Sequence, residues 1–156
     1  MKWLLCIFEI KKMFSKACEY GIRAVLFIAK QSQNDLRPNI AEIAQAINSP
    51  EPFTAKICQQ LVRENILLSK KGPRGGFYLE KNSLLKLADI VVAIDGPRIF
   101  NGCGLGLTEC SSENPCPIHN QYLDIRGALK QMYENASVMD LSVSLEEGET
   151  FLKLYK

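Results

Sequence analysis

Seven residues, Lys70-Lys71-Gly72-Pro73-Arg74-Gly75-Gly76, constrain the fold of this chain more than any others. Glycine and proline at this density end any helix. The flanking runs, Ile66-Leu67-Leu68-Ser69 and Phe77-Tyr78-Leu79, are short, apolar and strand-like. The segment therefore predicts a two-stranded hairpin with a cationic tip. Its glycines permit positive φ and close approach of the backbone to a phosphate. Lys70, Lys71 and Arg74 supply charge for a DNA backbone. A plain solvated hairpin has the same composition, so the neighbours decide between the two.

Directly before the hairpin lie two short helical patterns. Ile40, Ile43, Ala44 and Ile47 repeat at i, i+3, i+4 and i+7, and Asn48-Ser49-Pro50 ends that pattern. A second helix over 52–64 opens with proline in its first turn, where the missing N–H costs nothing. Its apolar residues Phe53, Ile57, Leu61 and Val62 share one face, with Thr54, Lys56, Gln59, Gln60 and Arg63 lying away from most of it. Two such helices joined by a tight turn make a helix-turn-helix. Followed at once by a glycine-rich basic hairpin, the pair reads as a winged helix. The second helix would then enter the major groove, with Thr54, Lys56, Gln59 and Gln60 as candidates to reach bases or phosphates.

The rest of the chain reads as mainly α. A largely buried helix is predicted over 14–31, followed by a turn at Asn34-Asp35-Leu36-Arg37-Pro38-Asn39. Ser83 is the expected cap of a helix over 84–95, with Leu84, Leu87, Ile90, Val91 and Ile94 inward and Gly96-Pro97 as its stop. Residues 101–118 read as a loop. A long helix over 119–136 carries one stripe, Tyr122, Ile125, Leu129, Met132, Tyr133 and Ala136. A striped helix downstream of a small DNA-binding module pairs with its twin, or else packs on its own domain. The tail over 144–156 is expected to add a last short helix. The predicted fold is mainly α with a small β wing. It comprises a winged helix-turn-helix at 13–82, then a linking helix, loop and dimerisation helix with a C-terminal tail at 83–156.

The 156 residues, 47% hydrophobic and 23% charged, suit one compact domain with appended elements. A net charge of +2 neither demands nor excludes a nucleic-acid partner, because a local patch is what binds. The opening run, Met1-Lys2-Trp3-Leu4-Leu5-Cys6-Ile7-Phe8, is too short to span a bilayer, and no small-residue cleavage site follows it. Residues 1–12 read as a leader that is either a local extension or not native, with Met13 as an alternative start. The chain reads as cytoplasmic, with no membrane partner.

Cysteines stand at 6, 18, 58, 103, 110 and 116. The first three are scattered and suit core packing. Cys103, Cys110 and Cys116 share one loop, with His119, the only histidine, three residues further on. Thiolates are soft ligands for iron–sulfur clusters, zinc and copper(I). Zinc would use the same three cysteines and histidine, although it more often takes tight C-x-x-C pairs. A thiol pair that senses oxidants also fits, as do idle thiols.

Taken together, the chain from Met13 to about Ala136 resembles the winged-helix regulators that include the iron–sulfur cluster regulator and the nitric-oxide-sensitive repressor. The resemblance rests on Glu19-Tyr20-Gly21-Ile22-Arg23-Ala24, on Gly72-Pro73-Arg74-Gly75-Gly76-Phe77-Tyr78-Leu79, on the helix over 84–95, and on the triple cysteine before a long helix. It implies a homodimer on palindromic double-stranded DNA, with a [2Fe-2S] or [4Fe-4S] cluster held by Cys103, Cys110 and Cys116. It also implies a fourth ligand, either His119 or Glu19 of the partner subunit. The first cysteine gap is six residues where five is commoner in that family, which leaves the cluster type open. The implied function is a DNA-binding regulator that senses redox state, nitric oxide or iron–sulfur status. Rival readings are a same-fold regulator with a zinc or thiol-based loop, and an electron-transfer iron–sulfur protein. No nucleophile–base constellation points to an enzyme.

Overall fold

The computed structural model describes residues 13–153, so the proposed leader at 1–12 and Cys6 lie outside the described residues. Helix α1 (Lys16–Gln33) runs through the centre. Helices α2 (Ile40–Ile47) and α3 (Glu51–Arg63) form the helix-turn-helix, and strands β1 (Leu68–Lys70) and β2 (Gly76–Tyr78) form the wing. Then follow α4 (Leu87–Asp95), a single-turn α5 (Arg98–Asn101), the long α6 (His119–Asn135) and α7 (Val138–Glu146).

Local chemistry explains the helix-turn-helix. Asn39 caps α2 in a capping box: its side chain accepts from the Glu42 N–H, and Glu42 accepts from the Asn39 N–H. Asn48 ends α2 in the left-handed conformation (φ 53°) and lets the chain turn into α3. Arg23 of α1 donates from Nη1 to the Ile47 carbonyl at 3.1 Å and lies over the Tyr20 ring, 4.3 Å from its centroid. Tyr20 in turn meets Phe53 of α3 edge-on. One side of α1 thus fixes both ends of the turn.

Ile28, Ile43, Ile47, Leu61, Leu67, Ile90 and Val138 are fully enclosed and form the main core. A smaller cluster of Cys18, Ala88, Val91 and Phe100 lies beside it, with Phe14, Leu129 and Tyr133 packed on its edge. Gly21 permits α1 and α4 to approach, since a Cβ there would sit 2.2 Å from Ile94 Cδ1.

The wing strands are antiparallel, with Leu68 opposite Tyr78, Ser69 opposite Phe77 and Lys70 opposite Gly76. They are offset from the predicted runs because the neighbouring backbone groups are used elsewhere. The Ile66 and Leu67 N–H groups donate to the Leu61 carbonyl and finish α3, while the Leu79 N–H donates to Ser32 Oγ.

Two boundaries differ more. Helix α4 begins at Leu87 rather than 84, and Leu84 is 88% exposed rather than inward. Here the backbone of 85–87 pairs with 136–138: the Leu87 N–H donates to the Ala136 carbonyl and the Val138 N–H to the Leu85 carbonyl. Ser83 closes a small turn, accepting from the Leu85 N–H, and does not cap the helix. The last helix starts at Val138, well before 144, and packs along α1. Lys30 Nζ donates to the Leu145 carbonyl at 3.1 Å and Gln33 donates to Ser142 Oγ. The stripe of α6 also splits. Leu129 and Tyr133 face the smaller cluster, whereas Ile125 and Met132 are 67% and 55% exposed.

Candidate nucleic-acid interface and cysteine loop

Helix α3 presents Lys56 and Gln59 to solvent. Thr54 and Gln60, expected on the reading face, turn inward instead. Thr54 is 1% exposed, and its hydroxyl lies 3.0 Å from both Ser49 Oγ and the Pro50 carbonyl. A threonine in a first helical turn bonds back to the preceding turn in this way. Gln60 Nε2 donates to the Ala93 carbonyl at 3.0 Å, tying α3 to α4.

Lys70, Lys71 and Arg74 are all exposed around the wing tip. The tip closes through a 2.8 Å bond from the Gly75 N–H to the Gly72 carbonyl, with Gly72 at φ 105°. The base of the wing is seated on the α1–α2 connection, where the Phe77 N–H donates to the Pro38 carbonyl at 3.0 Å. Beside it Arg37, an exposed cation, lies over the Tyr78 ring at 4.8 Å from its centroid. Sequence reading assigned Arg37 to a turn; the signal for it was a cation next to the proline that meets the wing.

The cysteine loop connects α5 to α6 and brings four candidate ligands into two pairs. Cys103 and Cys116 place their sulfurs 3.9 Å apart. Cys110 Sγ lies 3.6 Å from His119 Nδ1, and Ser112 Oγ lies 3.4 Å from Nε2. His119 is buried at the start of α6, and its backbone N–H donates to the Cys116 carbonyl at 2.9 Å. The backbone N–H groups of Leu105 and Leu107 hold the Cys103 thiol below the ordinary thiol range. The Cys116 thiol and the Gly106 N–H add to this, against the opposing effect of burial. Among the described residues, no three His, Cys, Asp or Glu side chains converge as a ready-made metal cage. Glu19 sits on α1, paired with Lys16 at 2.8 Å.

The donor set suits a soft metal centre. Two thiolates on one tetrahedral metal, with bonds of about 2.3 Å, stand about 3.8 Å apart. The Cys103–Cys116 separation of 3.9 Å matches that spacing. Cys18 and Cys58 are different: burial pushes each thiol up to about 12, with Asp95 adding to the effect at Cys18. Brief alkylation of the metal-free folded protein should therefore modify Cys103, Cys110 and Cys116 and spare Cys18 and Cys58. Peptide mass spectrometry checks this, and early labelling of Cys58 would contradict it.

No helix among the described residues is long and apolar enough to cross a membrane. Residues 14–143 match the model of the Rrf2 family, described as an iron-dependent transcriptional regulator. A protein of Aquifex aeolicus named as an HTH-type transcriptional regulator is 28% identical over 142 residues, covering 89% of this chain and 96% of the relative. The transcriptional regulator IscR of Yersinia pseudotuberculosis is 24% identical over 123 residues, covering 78% of this chain and 74% of the relative. Among solved structures, CymR of B. subtilis, the global cysteine regulator of that organism, superposes with a TM-score of 0.68. It is 21% identical and covers 83% of this chain and 95% of that one. T. potens IscR gives the same TM-score at 18% identity, covering 87% and 90%. These two structures share the winged-helix fold seen here. The family match spans most of the chain, and with it the chain belongs to the Rrf2 family of DNA-binding transcriptional regulators rather than to any class of enzyme.

Proposed function

We propose that this regulator senses redox state, nitric oxide or iron–sulfur status through a cluster held by Cys103, Cys110, Cys116 and His119. The observation that carries the reading is the gathering of three thiols and the only histidine into two close pairs in one loop. The family description as iron-dependent supports it. When bound, a [2Fe-2S] or [4Fe-4S] cluster would supply an anionic centre that reacts with oxidants and nitric oxide. Glu19 of the partner subunit is the alternative fourth ligand.

The remaining steps belong to the protein's own residues. Lys56 and Gln59 read the major groove from α3, and Lys70, Lys71 and Arg74 hold phosphates or enter the minor groove, with Arg37 beside them. Residues 13–82 act as the reading head. Exposed Ile125 and Met132 on α6 fit against a second copy in a homodimer, so that two heads meet palindromic half-sites about 34 Å apart. The loop ends on α5, whose Phe100 packs with Cys18 of α1 and Val91 of α4. Asp95 at the end of α4 accepts from the Ser15 N–H at the start of α1 at 2.9 Å. A change in the loop thereby reaches the central helix of the reading head. It alters DNA binding only as far as the cluster favours one dimer arrangement over another.

Neutralising Lys71 or Arg74 with glutamine should weaken binding to all sequences. It should also lower the salt dependence by about one unit per lost contact. Anisotropy titrations over a range of salt check this, and an unchanged slope would remove that residue from the interface.

The same 3.9 Å sulfur pair also suits zinc or reversible thiol oxidation, and this is the second reading. Anaerobic purification followed by absorption spectroscopy and iron, sulfide and zinc analysis separates the two. A brown protein with iron and sulfide supports the cluster. A colourless protein with stoichiometric zinc, or one that takes up no metal on reconstitution, moves the loop to zinc or thiol chemistry.

A further inference from the structure

Arg126 stands seven residues after His119 on α6, two helical turns along the same side. Its Nη1 donates to the Asn101 carbonyl at 3.2 Å and also to the Gly102 carbonyl, the two residues immediately before Cys103. From the other side of that cysteine, Arg98 Nη2 donates to the Gly106 carbonyl at 3.2 Å. Between them Gly104 lies flat against Tyr122, where a Cβ would come within 2.8 Å of the ring. Residues 101–106 are therefore held by side chains of α5 and α6, and none of these contacts uses a thiol.

We infer that Arg126 is a positioning residue for the cysteine loop, a clamp from α6 that sets the backbone around Cys103 before any metal arrives. The inference rests on the reading of this loop as a metal-holding site. The physical reason is preorganisation. A loop this rich in glycine, serine and asparagine loses its freedom when its thiolates are drawn together, and a loop already fixed loses less. Because His119 and Arg126 share one helix, the clamp also registers Cys103 against the histidine.

The test uses the full chain, reduced and metal-free, titrated with cobalt(II) as the probe. Thiolate-to-cobalt charge-transfer absorption reports ligation whatever metal the protein holds in the cell. Arg126→Met should weaken cobalt binding by about tenfold or more, the loss expected for hydrogen bonds from a charged donor. Arg126→Lys keeps a charged donor group and should recover part of that loss. In metal-free Arg126→Met, amide exchange should speed up across 102–107, while the unfolding temperature and non-specific DNA affinity stay at wild-type values. Wild-type cobalt affinity together with wild-type exchange would overturn the clamp. So would a general loss of stability that Arg126→Lys does not repair. If the unaltered protein takes up neither cobalt nor a cluster, the metal-holding reading itself fails. The clamp then stands or falls on exchange at 102–107 alone.

Discussion

Replacing Gly76 with alanine should unseat the wing and strip DNA binding of its wing contacts. A Cβ at this position would lie 2.2 Å from the Arg37 carbonyl oxygen and 2.7 Å from that of Pro38. Both obstacles are backbone, so no rotamer change relieves them, and φ is already 153°. Strand β2 has to move away. That breaks the bond from the Phe77 N–H to the Pro38 carbonyl and separates Tyr78 from Arg37. The expected stability cost is about 1–3 kcal/mol, the usual range for forced overpacking. With Lys70, Lys71 and Arg74 no longer held against the body, the salt slope of DNA binding should fall by as much as about three units. Gly72→Ala is the natural control: its Cβ meets nothing within 4 Å, so only the strain of φ 105° remains. Thermal unfolding and salt-dependent anisotropy on both variants decide the matter. A Gly76→Ala protein with wild-type slope would show that this seat does not orient the cations.

On the proposed cluster reading, Cys110→Ser should remove the cluster while leaving the fold intact. Cys110 is half-buried in a loop and belongs to neither apolar cluster, so its sulfur contributes little to stability. An alcohol oxygen is a hard and weak donor for iron, and the remaining ligands no longer close the site. Iron and sulfide content and visible absorption should fall to background, with an unchanged unfolding temperature for the metal-free protein. DNA binding should then cease to respond to nitric oxide or oxygen. A variant that keeps wild-type iron and a wild-type response would dismiss this loop as the sensor. A variant that loses iron but keeps the response would place the sensor elsewhere in the molecule.

Much of the reading head was legible because its signals are local. The i, i+3, i+4, i+7 pattern of Ile40, Ile43, Ala44 and Ile47 states a helix without reference to anything distant, and α2 spans those residues. The glycines and cations of 70–76 likewise announce a hairpin tip, and the tip lies between β1 and β2. The candidate site was legible as composition, since three cysteines and a histidine within seventeen residues speak for themselves. Their arrangement in two pairs was not, because it depends on how a loop without periodicity closes on α5 and α6. The single stripe expected on α6 splits, with Leu129 and Tyr133 packed on the smaller cluster and Ile125 and Met132 exposed, because periodicity does not say which neighbour covers each part of a face.

What the sequence determined by itself is therefore what lies within a few turns of each residue: helix periods, the wing hairpin and the ligand inventory. The tertiary structure alone decided the rest. It buried Thr54, turned Gln60 to α4, exposed Leu84, and began the last helix at Val138 so that the segment folds back on 85–87. It also seated Gly76 on Arg37 and aimed Arg126 at the carbonyls beside Cys103. Most of these join residues far apart in the chain, as Gln60 and Ala93 do at 33 residues' separation and Lys30 and Leu145 at 115. A hydrophobic period names the face that must be covered, and a donor names a bond that must be made. Which distant group covers the face or accepts the bond is settled only when the whole core packs and every buried polar group finds its partner.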